Sequence, residues 1–95
     1  MLFKYIKKPM KTIQIRKSFA GYGHYKLTAT VEGVEYSTTT SSMPLIDRMN
    51  SDDDGEAVQA NIEAIILVLH EHEIEYGEIN VSYDSRFGTI YSAEI

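Results

Sequence analysis

Three successive stretches of this chain alternate apolar and polar residues with a period of two, and nothing else in it restricts the fold as strongly. In TIQIRKSF (residues 12–19), Ile13, Ile15 and Phe19 share one face, interrupted by Lys17, while Thr12, Gln14, Arg16 and Ser18 share the other. YKLTATV (25–31) sets Tyr25, Leu27, Ala29 and Val31 against Lys26, Thr28 and Thr30. VEYSTTT (34–40) sets Val34 and Tyr36 against Glu35, Ser37 and Thr39. Successive strand residues point to opposite sides of a sheet, so each stretch is a strand with one face for a core. The link Glu32-Gly33 is a tight-turn signal, because glycine reaches a positive φ without steric cost. An antiparallel meander is expected.

Helical signals come next. In SSMPLIDRMN (41–50), Ser42 suits an N-cap and Pro44 falls in the first turn, where its missing N–H costs nothing. The acidic SDDDGE (51–56) breaks the chain and suits the positive end of a helix dipole. A long helix is then expected over residues 55–73, with Gly77 as its C-terminal stop. At about 100° per residue, Val58, Ile62, Ile65, Ile66 and Leu69 gather on one side, flanked by Val68. Gln59, Glu63, Leu67, His70 and Glu71 fall opposite, toward water. EINVSYD and GTIYSAEI alternate again around a turn at residues 85–88, a second hairpin.

The order β-β-β-α-α-β-β implies an α+β two-layer sandwich. Its antiparallel sheet, a three-stranded meander plus a C-terminal hairpin, packs against one main and one short helix. Ninety-five residues make a single domain over 1–95, with residues 1–9 either an extra strand or a leader. The expected core includes Leu27, Ala29, Val31, Val58, Ile62, Ile65 and Leu69. No cysteine is present, which excludes disulfides, thiolate metal sites and cysteine nucleophiles. Without a signal-peptide pattern or a long apolar run, the expected location is the cytoplasm, with no membrane partner.

The net charge of −5 hides a division. Residues 1–31 hold seven of the nine basic residues and no acid; residues 32–95 hold all fourteen acids. Such a division marks a basic arm or an acidic surface, unless the halves neutralise one another in the fold. FAGYGHYK (19–26) is the nucleic-acid candidate, with Tyr22 and His24 beside Arg16, Lys17 and Lys26 for stacking and phosphate contact. It departs from an RNA-recognition strand at Ala20, His24 and Leu27, so a turn between strands is the simpler expectation. In NSDDDG, Asn50, Asp52, Asp54 and Gly55 match the front of a calcium loop, but its twelfth position is Asn61 rather than glutamate. Helix capping explains the same residues. His70 and His72 are two apart, about 160° around a helix, and cannot chelate as a pair.

No nucleophile elbow, phosphate loop or paired-carboxylate motif occurs, so neither an enzyme nor a cofactor is expected. The segment GYGHYKLTATVEGVEYSTTTSSM resembles small bacterial proteins with a similar strand pair and threonine-rich strand end. That resemblance implies no activity. The leading expectation is a small protein-interaction module, self-association included, using Leu67 among Glu63 and Glu71 on the outer helix face. The alternatives are nucleic-acid binding through the basic third, with nucleic acid the less expected partner, and an acidic decoy that imitates a phosphate array.

Overall fold

The computed structural model describes residues 9–95. The expected extra strand or leader at residues 1–9 lies outside them except for Pro9, which is irregular. Five strands form one antiparallel sheet: β1 (Met10–Gly21), β2 (His24–Val31), β3 (Val34–Thr40), β4 (Asn80–Asp84) and β5 (Gly88–Glu94). Two helices, α1 (Met43–Met49) and α2 (Asp54–Glu71), separate β3 from β4. The sheet order is β3-β2-β1-β5-β4, so the meander and the C-terminal hairpin join through β1 and β5. The expected α+β order and antiparallel sheet are what the chain adopts.

The turns follow from local chemistry. Glu32 (φ 45°) and Gly33 (φ 88°) form the two-residue link of β2 and β3, both positive as a primed turn demands. In the β4–β5 hairpin the Asp84 carboxylate accepts from the N–H groups of Arg86 and Phe87, at 2.7 and 3.2 Å. Ser42 caps α1, and Asp53 caps α2 by accepting from the Glu56 N–H at 3.2 Å. Helix α2 ends before Gly77. Glu73 takes the left-handed conformation (φ 54°), its N–H bonds His70 C=O, and the Ile74 N–H bonds Leu69 C=O. That pair of bonds is a Schellman motif with glutamate where glycine is usual. Gly77 instead lies against β5, its N–H donating to Glu94 C=O.

The core lies between α2 and the strands β1, β2 and β3. Ile13, Leu27, Ala29 and Val31 from the sheet meet a buried layer of Ala60, Ala64, Ile65, Val68 and Leu69. This corrects the expected helix stripe. Val58 and Ile62 are half-buried, and Ile66 is exposed. Leu67, expected to face water, is half-buried and packs against the core. The rotation has a physical cause: Ala60 and Ala64 carry little weight in a pattern of large aliphatics, yet their small side chains let a backbone approach closely. Helix α1 packs along the side of α2 that carries Glu63. There Arg48 and Glu63 form a two-armed ion pair, one arm 3.2 Å long.

Candidate functional site

A cleft opens where β1 and β5 part. β5 pairs with β1 only from Met10 to Ile13, opposite Glu94 to Tyr91. Beyond that point β1 continues in register with β2 as far as Phe19, with a shift before Gly21 pairs with His24, and β5 turns away. The space between them, about 570 Å³, is bounded by Ile15 and Gln14 on β1, Thr89 and Ile90 on β5, and Asp54 and Val58 on α2. Its size is that of a ligand or peptide pocket. Asn61 Nδ2 donates to the Tyr91 hydroxyl at 3.0 Å and ties α2 to β5 at the cleft. Phe87, 75% exposed, lines it from the β4–β5 turn, with the Arg86 guanidinium 5.4 Å from its ring centre.

Among the described residues, the backbone along this cleft is unpaired on the side of β5. The Glu32 N–H bonds Thr12 C=O at 3.3 Å, so Thr12 aims its backbone groups at β2. Alternate residues of an antiparallel strand aim the same way, which sends the polar backbone of Gln14, Arg16 and Ser18 to β2. The Ile95 N–H bonds Pro9 C=O on the opposite side, in the same phase. Ile13, Ile15, Lys17 and Phe19 therefore face β5. Only Ile13 meets it; among the described residues none pairs with β1 beyond Ile13 on that side. Among the described residues, the N–H and C=O groups of Ile15, Lys17 and Phe19 form a short open edge inside the sheet, in addition to the outer edges of β3 and β4.

Their side chains share the helix-side face and emerge stepwise from cover. Ile13 is buried, Ile15 and Lys17 are half-buried, and Phe19 is 70% exposed, packed edge-on against Tyr25 with ring centres 5.8 Å apart. Lys17 interrupts the apolar face opposite the buried Leu27 of β2. The hairpin ends at Tyr22, 97% exposed, between Gly21 (φ 125°) and Gly23 (φ 66°). FAGYGHYK thus contains the turn of a projecting β-ribbon.

The basic and aromatic candidates do not share a face. Arg16 and Lys26 belong to the helix-free face and Lys17 to the other, while Tyr22 and His24 sit at the tip. Arg16 is already engaged, reaching across β2 to Glu35. Of the calcium candidates, Asn50 is the C-cap of α1, while Asp52 and Asp54 are exposed on either side of Asp53, the residue that caps α2. Among the described residues no three His, Asp or Glu side chains gather as metal ligands. The acids a decoy would use, at residues 52–56 and 71–78, separate to the two ends of the 18-residue helix α2.

Glu63 and Glu71 also part. Glu71 is exposed, whereas Glu63 holds Arg48, whose hydrogen bond keeps its carboxyl below the ordinary range against an opposing desolvation. His72 carried no expectation beyond its spacing from His70, yet it fastens the end of α2 to β3. Its Nε2–H donates to Ser37 C=O at 2.7 Å, and its ring lies 5.4 Å from that of Tyr36. The Thr28 and Ser37 hydroxyls bond each other at 3.0 Å. No helix is long and apolar enough to cross a membrane, among the described residues. Comparison with protein-family models, curated proteins and solved structures finds no match.

Proposed function

We propose that the protein is a non-enzymatic interaction module that takes an extended segment of another protein as an added strand on β1. The observation that supports it is the open edge at Ile15, Lys17 and Phe19, beside a cleft of peptide size. Strand addition draws affinity from main-chain hydrogen bonds and selectivity from alternate side chains, and this edge offers both. The partner differs from the one expected at Leu67, because that side chain is half-buried under its own fold. A nucleic-acid reading draws on the exposure of Tyr22 beside Lys26, but the division of the basic groups between two faces weakens it.

The test removes a single N–H. Proline is tolerated on an edge whose N–H faces open space, so Lys17→Pro deletes an outward donor while leaving the β1–β2 ladder. Peptides selected for binding to the intact protein should shift the amide resonances of Ile15, Lys17 and Phe19. Their affinity should fall at least tenfold, about one lost hydrogen bond, in a folded Lys17→Pro protein. Phe19→Pro, at the next outward N–H, serves if the first variant does not fold. Binders indifferent to both changes would exclude strand addition.

A further inference from the structure

We propose that the segment accepted by β1 has the pattern apolar–any–acidic–any–apolar, with the acidic residue opposite Lys17. This rests on the strand-addition reading above. A strand laid along the open edge puts one residue directly opposite each of Phe19, Ser18, Lys17, Arg16 and Ile15, and facing residues share a side of the sheet. Two cations lie in this run, and only one is free. Arg16 is satisfied by Glu35 on the helix-free face. Lys17 forms no ion pair among the described residues, and no acid occurs from Met10 to Val31.

The incoming acid therefore belongs on the helix-side face, opposite Lys17. Residues two before and two after it lie on that same face, opposite Phe19 and Ile15. Apolar side chains suit both: one covers the exposed ring of Phe19, the other enters the cleft beside Val58 and Phe87. A slip by one residue would move the acid to the other face, so register and charge specify each other. The pattern is symmetric about its acid and holds for either strand direction.

A second copy of this chain does not fit. Pairing two such edges about Lys17 would oppose the two lysines, and an inward lysine on a bare edge deters that self-pairing. The chain contains the pattern only at Leu45, Asp47 and Met49, which are committed to α1. The same charge that rejects the identical edge selects an acidic partner.

The probe is a labelled seven-residue peptide, Ser-Val-Thr-Glu-Thr-Val-Ser, measured by amide shifts and fluorescence anisotropy on the full chain. Two relatives accompany it, one with lysine for glutamate and one with the glutamate moved by one position. The glutamate peptide should bind about five- to twentyfold more tightly than either, because one attractive pair is exchanged for a repulsive or misplaced one. In Lys17→Glu the order of the glutamate and lysine peptides should reverse. Equal affinities for all three, each lost in Lys17→Pro, would overturn the acidic specificity and leave strand addition standing. Shifts that ignore Lys17→Pro would overturn both. Tighter binding of a thymidine dodecamer, lost in Tyr22→Ala, would also overturn the inference in favour of a nucleic acid.

Discussion

Glu73, like Glu32, holds a backbone conformation that disfavours a side chain. It sits at φ 54° to close the Schellman motif, where a side chain with a β-carbon is disfavoured. Glu73→Gly should stabilise the fold by about 0.5–1 kcal/mol, the relief of that strain less the greater freedom of glycine when unfolded. A chemical-denaturation midpoint that falls instead would show that the Glu73 side chain itself holds the helix end. The Arg48–Glu63 pair makes a claim about pH. Its hydrogen bond and charge set the Glu63 carboxyl lower than in the unfolded chain. The pair's contribution is complete above the ordinary carboxylate value and fades as pH falls through the lowered one. Glu63→Gln should lower the urea midpoint at neutral pH, and the gap should close in acid. A gap that persists there would assign Glu63 a packing role. Both side chains are partly exposed, so the effect is modest.

Among the elements, α2 is the one whose orientation pattern alone misassigns. Its large aliphatics form a stripe centred near Val58 and Ile62, whereas the buried side runs through Ala60, Ala64, Val68 and Leu69. Ile65 and Leu69 belong to both. Ile65→Ala should cost about 2–5 kcal/mol by leaving a cavity, while Ile66→Ala, on an exposed residue, should stay within about half a kcal/mol. Ala64→Leu separates the two orientations most clearly. A buried alanine against the sheet has no room, so the added methylenes should destabilise by about 1–3 kcal/mol. Thermal melts of these three proteins decide it, and a neutral Ala64→Leu would place that face outward.

At the scale of the whole molecule, the open five-stranded sheet is continuous where β1 pairs with β5 and split beyond Ile13. Its extent of 56 × 31 × 21 Å reflects the β1–β2 ribbon running past the helices. The split predicts a signature in hydrogen exchange. Amides of Gln14, Arg16 and Ser18 bond into β2 and should exchange slowly; those of Ile15, Lys17 and Phe19 face the cleft and should exchange fast. Uniform protection along residues 14–19 would mean that the edge is covered, and the proposed docking surface would be lost with it.

The strands, both helices and the first hairpin turn were determined by the sequence alone, because each rests on interactions within a few residues. The alternation of Ile13, Ile15 and Leu27, the Glu32-Gly33 turn and the Ser42 cap act locally, and local rules read them. The end of α2 escaped those rules, since Glu73 accepts a strained conformation that Ile74 compensates by packing against the core. The face of α2 was decided by tertiary structure, because alanines reveal their value only when a second layer comes close. So was the fate of Lys17. In sequence it is a flaw in an apolar face; it becomes a selective group only because β5 leaves β1 at Ile13. That divergence depends on contacts between chain segments nearly eighty residues apart, Ile13 with Tyr91, and no local pattern encodes where such a pairing stops.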